Sequence, residues 1–254
     1  MASDIFSAEG YRSLLTLINR CGYNSILVPE LDTGKSGQII MRHDIDFCMD
    51  YARDMAALEA SEGIRATYYV MLRSPMYNLF ARHENSLLNE IVSLGHDIGV
   101  HYDARWTEMC DGDHADGIRF EAGVLGKMCG AEIRSFSVHQ PDSRVAAAEI
   151  EVEGFVNLYD EKYFRGFEYI SDSNRDWRGK DIEKSINQRG NLQFLTHPMW
   201  WICEEKTTED CWDRTIESNF QNAQRQILET ERAYGPARKL VLEREGASGT
   251  LGSE

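Results

Sequence analysis

Asp44 and Asp46 stand two residues apart at the end of an apolar run, 38–46. If that run is a strand, its period of two puts both carboxylates on one face. Neighbouring carboxylates repel, and keeping both ionised requires a cation beside them. A divalent metal meets the need, with one carboxylate as ligand and the other free to take a proton from water. Taken alone, the pair also reads as two solvated aspartates in a loop. His101 and His139 close two further strand-like runs, 97–102 and 135–139. Singly, each is an ordinary hydrogen-bonded histidine. Together with Asp46 they make a common set of three protein ligands that leaves a coordination position open. His197 follows the run 192–196 and precedes Pro198, which ends strand pairing and fixes where the imidazole emerges. Trp200 and Trp201 come next, either as core or as an apolar wall able to stack on a sugar. His43, His83 and His114 have no comparable placement and read as structural or surface residues.

These residues need a frame that brings distant strand ends together. Apolar or alternating runs at 38–46, 66–72, 97–102, 135–139, 155–159, 169–172 and 192–196 predict about seven strands. Helical spacing at 50–61, 79–94, 116–129, 145–153 and 209–234 fills much of the space between, with Gly63, Gly95, Gly130 and Gly154 as stops. By strand alternation, Asp97 and His101 share a face and His96 points the other way. Strand and helix alternating in this way imply an α/β fold with a largely parallel sheet. In β/α barrels the reactive groups collect at the C-terminal strand ends. Here those ends carry Asp44, Asp46, His101, His139, Asp172 and His197. The pattern reads as one domain over 1–240, with a Gly/Ser-rich, disordered tail over 241–254.

Composition narrows the partners. With 254 residues, 42% apolar, the chain can bury a full core. Net charge is -15, and no basic stripe is present, which argues against nucleic acid. No run is long and apolar enough to span a bilayer, and the first residues lack the basic and apolar regions of a signal peptide. Six scattered cysteines without a CxxC pair then read as reduced thiols, which predicts a cytoplasmic protein.

The order of these motifs resembles the polysaccharide deacetylase superfamily (NodB homology, carbohydrate esterase family 4). The segments that carry it are Arg42-His43-Asp44-Ile45-Asp46, Gly95-His96-Asp97-Ile98-Gly99-Val100-His101, Asp172-Ser173-Asn174-Arg175-Asp176-Trp177 and Leu195-Thr196-His197, within 38–202. The resemblance implies an irregular, deformed β/α barrel and metal-dependent hydrolysis of an N-acyl, or less readily an O-acyl, group. It implies Asp44 as general base, Asp46 and His101 as metal ligands, and His197 as general acid, with Asp176 and Arg175 setting its charge or orientation.

Three departures stand out. Ile45 separates aspartates that are adjacent in many members. Arg105 stands where a second histidine is usual, so His139 becomes the candidate third ligand. Val138-His139-Gln140-Pro141 stands where an arginine usually precedes a proline. These departures resemble a divergent branch associated with surface-polysaccharide biosynthesis. The metal expected for Asp-His-His is zinc, with cobalt, iron or nickel also suited. Expected substrate contacts are Arg42, Tyr102, Arg105, Asp172, Trp177, Trp200 and Trp201. Arg42, Arg105 or Arg178 would hold any phosphate of a nucleotide- or lipid-linked acylated sugar. A non-catalytic carbohydrate-binding relic and a metal hydrolase for a small non-sugar amide stay open as alternatives.

Overall fold

The computed structural model describes residues 6–32, 34–110, 112–141 and 146–233. The expected tail, 241–254, lies outside them. In chain order the elements are α1 (Ala8–Cys21), β1 (Asn24–Ser25), β2 (Gln38–Ile45), α2 (Met49–Ser61), β3 (Ala66–Val70), α3 (Arg82–Ser93), β4 (Asp97–Tyr102), α4 (Ala104–Met109), α5 (His114–Cys129), β5 (Ser135–Val138), β6 (Val156–Asn157), α6 (Glu161–Phe164), β7 (Phe167–Ser171), α7 (Ile182–Asn187), β8 (Asn191–Thr196), α8 (Pro198–Ile202) and α9 (Thr208–Thr230).

Seven strands form one parallel sheet in the order β6-β5-β4-β3-β2-β8-β7, with β1 paired to the start of β2. The chain steps outward from β2 to β6 and then returns to the other flank with β7 and β8. All ladders are parallel, so every strand ends on the same edge. The sheet curls into a deformed half-barrel that stays open between β6 and β7. Parallel strands covered on both faces read as continuous apolar runs rather than alternating ones. β2 has all eight of its residues buried, yet only 39–41 follow that rule; Arg42, His43 and Asp44 are buried polar residues.

The two faces of β2 differ in chemistry. Ile39, Met41 and Ile45 face the helices and join the main core, which runs from Phe6 to Cys211. Ile40 faces the barrel interior, where Ile26, Val28, Tyr69 and Leu158 form a smaller apolar plug. Above the plug the interior turns polar, with Arg42, Asp44 and Asp46 in succession. Gly99 on β4 is needed there, because a Cβ would overlap the Tyr69 ring that lies across the interior.

Most expected elements are present with shifted ends, and β1, α4, α6, α7 and α8 lie outside the expected segments. α1 lies outside the helices expected from the sequence. It is capped by the Ser7 hydroxyl, which accepts from the Gly10 N–H, and ends at Gly22 with φ 76°. The helix expected over 145–153 is a single 3₁₀ turn, Ala147–Glu149. Asn157 explains this: its side-chain amide donates to the Ala147 and Ile150 carbonyls that a helix would use. Val145 is outside the described residues. α9 ends at Thr230, short of the expected Tyr234, which is also outside them. Among the described residues no helix is long and apolar enough to cross a membrane.

Candidate metal centre

Strand alternation aims Asp44 and Asp46, at the end of β2, into the half-barrel. His101 near the end of β4 and His139 just after β5 point the same way. β4 and β5 pair His101 with Ser137, so His139 stands two residues further along on the same face, and its ring meets that of His101. Asp46 Oδ1 lies 2.9 Å from His101 Nε2 and 3.2 Å from His139 Nδ1. The two nitrogens are 3.1 Å apart. Asp46 Oδ1 is buried, yet it makes no hydrogen bond. Three potential ligand atoms thus face one another around one point. The spacing suits a divalent ion: ligands about 2.0–2.1 Å from a tetrahedral metal are about 3.3 Å apart. This group of Asp46, His101 and His139 could hold a metal ion.

Asp44 sits beside that group and is held from below. Arg42 Nη2 donates to both its oxygens at 3.0 Å and to Ser137 Oγ at 2.5 Å. Ser137 Oγ in turn donates to Asp44 Oδ2 at 3.3 Å. Burial pushes the Asp44 carboxyl up, but Arg42, His101 and His197 outweigh it and leave the group below the usual carboxylate range. Asp46 behaves likewise: burial is opposed by the two imidazoles beside it, and the carboxyl stays well below its ordinary value. His101 moves the other way. Burial disfavours its charge, yet Asp44 and Asp46 raise it.

His197 approaches from the opposite wall. It is the residue before Pro198, the first residue of α8. Its Nδ1 is 2.6 Å from Asp172 Oδ1, and its backbone N–H also donates to that carboxylate. Trp201 Nε1 donates to Asp172 Oδ2 at 2.8 Å. Asp172 is fully buried, and with Nδ1–H spent on it, His197 turns Nε2 toward the centre, 4.0 Å from Asp46 Oδ2. Burial works against the imidazolium, but Asp172 dominates, and the pKa is pushed up to about 9.

Above the centre opens a cavity of about 610 Å³, walled by Tyr159, Tyr169, Met199, Trp200 and Trp212. Three rim residues, Gln140, Asn174 and Arg178, are non-glycine residues with φ of 41°, 59° and 52°. Such backbone is strained and gathers at functional sites.

The structure brings Asp44, Asp46, His101, His139, His197 and Trp200 to one cavity. It places the other candidates elsewhere. Asp172 does not face the cavity; it lies behind His197. Asp176 is exposed and accepts from the Arg178 N–H, so Asp172 rather than Asp176 sets the charge of His197. The Arg175 guanidinium packs on the Phe6 ring and carbonyl and on Cys211 Sγ. Trp177 stacks on Phe6 and packs against Trp201 and Phe194 within the core. Trp201 is 1% exposed and serves Asp172. Tyr102 alternates to the helix side, where its hydroxyl meets Thr107 and His114. Arg105 lies exposed on α4, and Arg42 is buried beneath Asp44, so of the three arginines considered for a phosphate only Arg178 lines this cavity.

Sequence reasoning missed Ser137, Tyr159, Tyr169 and Trp212. Ser137 was within reach, because alternation places it on the same face as His139. The others come from a strand edge, a loop and a helix, with no local signal.

No protein-family model matches the chain, and no curated protein matches it. Solved structures with a similar course of chain include peptidoglycan deacetylase PdaC from Bacillus subtilis, at 13% identity and TM-score 0.42, over 80% of this chain and 96% of that one. A family 4 acetyl xylan esterase from Clostridium thermocellum, in complex with a cobalt ion, is 15% identical at TM-score 0.37, over 72% and 84%. A mutant of the carbohydrate esterase family 4 pseudoenzyme BA3943, with restored enzymatic activity, is 12% identical at TM-score 0.39. The match covers 73% of this chain but only 63% of that one, less than two thirds of its length. Likeness at this level carries no chemistry across.

Proposed function

We propose that the chain is a metal-dependent hydrolase that removes an acyl group, N-linked rather than O-linked, from a sugar. The observation that carries the reading is the convergence of Asp46 Oδ1, His101 Nε2 and His139 Nδ1 between a clamped aspartate and an Asp172-backed histidine. Asp46, His101 and His139 would hold the ion, and when bound it supplies Lewis acidity toward water and the acyl oxygen. Zinc suits the donor set, as do cobalt, iron and nickel.

The chain's own groups divide the proton work. Asp44 is ionised at neutral pH and fixed by Arg42 and Ser137, so it can accept the proton that water loses as it adds to the acyl carbon. His197 carries a proton at neutral pH and directs Nε2 at the centre. It gives that proton to the leaving nitrogen as the C–N bond breaks. Asp172 holds the other ring nitrogen and keeps the imidazole oriented through both steps. Trp200, Trp212 and the two tyrosines form walls that exclude water and suit the apolar face of a sugar ring. Six free thiols fit a reducing cytoplasm, where a nucleotide- or lipid-linked sugar of cell-surface glycan assembly is within reach.

The test is metal analysis of the purified chain, followed by release of acetate from a panel of N-acetyl sugars. About one ion per chain and release that stops with Asp44→Asn supports the hydrolase. A chain that binds sugars but takes up no stoichiometric zinc, cobalt, iron or nickel is a carbohydrate-binding relic.

A further inference from the structure

A second cavity of about 620 Å³ lies in the open seam of the half-barrel, where β6 and β7 fail to pair. It is as large as the cavity over the metal centre. Gln193 on β8 bridges the seam by donating to the Leu158 carbonyl at 3.2 Å, so side chains rather than a strand ladder close this side. Tyr159 and Tyr169 line both cavities and form the partition between them. A single extended molecule passing these two rings would occupy both.

The lining indicates what fits. Leu158, Phe164 and Phe167 present apolar and aromatic surface, and Tyr169, 43% exposed, stands at the junction. Charges in the lining are largely cancelled in place. Lys162 pairs with Asp160 at 2.7 Å, and Arg42 pairs with Asp44. Arg165 and Glu161 remain as one charge of each sign. Arg42 supplies an independent pointer. It is 1% exposed, lies between the Tyr69 and Tyr159 rings and lines the seam cavity, yet its Nε–H has no hydrogen-bond partner. A buried donor left unmade costs about 1–3 kcal/mol, so it is a natural anchor for a ligand oxygen. Because the guanidinium charge is already balanced by Asp44, a neutral oxygen suffices.

We propose that the seam cavity is a ligand subsite for a neutral, hydroxyl-bearing ring, carried on the same substrate as the acyl group. An uncharged ring with apolar faces and peripheral hydroxyls, a second sugar unit, meets the aromatic walls and the Arg42 Nε–H together. The inference rests on the proposed function for what occupies the first cavity. One guanidinium would then contact the ring in the seam and hold the carboxylate beside the metal centre.

Binding, rather than turnover, provides the test. Affinities of N-acetylglucosamine and of its β-1,4-linked dimer and trimer are measured by calorimetry on the full chain loaded with zinc. The same is done for Phe164→Ala and Phe167→Ala, two seam substitutions outside the first cavity, with unfolding stability measured beside them because both rings also pack on the apolar plug. The dimer is expected to bind at least about tenfold more tightly than the monomer. Both variants should lose that preference and keep the monomer affinity. Equal affinities for monomer and oligomer in the wild-type chain, or a preference that survives both substitutions, overturns the subsite. So does seam-dependent binding of uridine diphosphate alone, which would make the occupant a nucleotide. Oligomer preference without acetate release would leave the subsite standing and the hydrolase fallen. Release from monomers with no oligomer preference would do the reverse.

Discussion

Two clusters of carboxylate and imidazole sit on opposite faces of the same strands. The inner one holds Asp44, Asp46, His101 and His139. The outer one, sealed between the sheet and α1 and α2, centres on Glu59. There Tyr11 donates to Glu59 Oε1 at 2.5 Å, Tyr68 donates to Oε2 at 2.6 Å, and His43 Nε2 lies 2.8 Å from Oε1. His43 Nδ1 meets Thr196 Oγ1. His96 accepts from the Ala66 N–H at Nδ1, which leaves Nε2–H to donate to the Ala56 carbonyl. Every ring nitrogen and both carboxylate oxygens are in use, and Glu59 is fully buried. The inner cluster leaves Asp46 Oδ1 and His101 Nδ1 without hydrogen bonds and opens on a cavity. The same residue types thus act as a tie in one place and as a site in the other. What separates them is satisfaction of the polar atoms and access to solvent.

Metal content should break this comparison most sharply. Asp46→Ala and His101→Ala each remove a converging atom and should abolish stoichiometric metal. Asp44→Asn should keep the metal and lower kcat about 10²–10⁴-fold, the usual worth of a positioned base. Elemental analysis and acetate release measure both. Metal retained in Asp46→Ala would remove the centre, and turnover retained in Asp44→Asn would remove the base. Glu59→Ala should leave metal binding unchanged and instead cost about 3–5 kcal/mol of stability, because three buried donors lose their acceptor. Denaturant unfolding reads this directly. A stable Glu59→Ala chain that has lost its metal would erase the distinction between the two faces.

Protons sharpen the contrast further. His101 is raised above its ordinary pKa by Asp44 and Asp46, so in the metal-free chain it binds its proton more tightly than an ordinary imidazole does. A metal needs the neutral ring, so binding should expel that proton. Affinity should fall about tenfold per pH unit below the pKa of His101. Calorimetry in buffers of different ionisation enthalpy counts the protons. No release below the ordinary histidine pKa, where a raised His101 carries its proton, would mean that His101 is not a ligand.

How much of this the sequence discloses depends on range. β2, β3, β4, β5 and β8 are readable because a buried parallel strand is an apolar run, and its period of two sorts Asp44 from Ile45 and His101 from His96. The convergence on His139 follows from strand order once the sheet is parallel. What sequence cannot disclose is who stands behind whom. Asp172 and Asp176 lie in one motif, and only the turn after β7 shows that Asp172 goes under His197 while Asp176 goes to solvent. Trp177, Trp200 and Trp201 look alike in sequence, yet only Trp200 faces the cavity, because the rotation of α8 and the placement of Phe6 decide the other two. Arg42 reads as a phosphate ligand until its neighbour Asp44 is seen to occupy it. Glu59 gives no signal at all, since one acid on an amphipathic helix reads as solvated.

The finest test separates Asp172 from its neighbours by pH. The Asp172 anion holds His197 protonated up to about pH 9, so the acid form is present below that pH and is lost above it. The pair also stabilises the fold fully below the ordinary histidine pKa, and that contribution disappears as pH rises through about 9. Asp172→Asn keeps the shape and removes the charge. The His197 pKa, followed by NMR, should drop by at least about one unit, and the alkaline limb of kcat/KM should move down with it. Trp201→Phe removes only a neutral donor to the same carboxylate and should leave the limb where it is. Asp176→Asn, on the exposed side of the turn, should do nothing. If Asp176→Asn moves the limb and Asp172→Asn does not, the histidine is tuned from the solvent side and the buried carboxylate is merely a cap for α8.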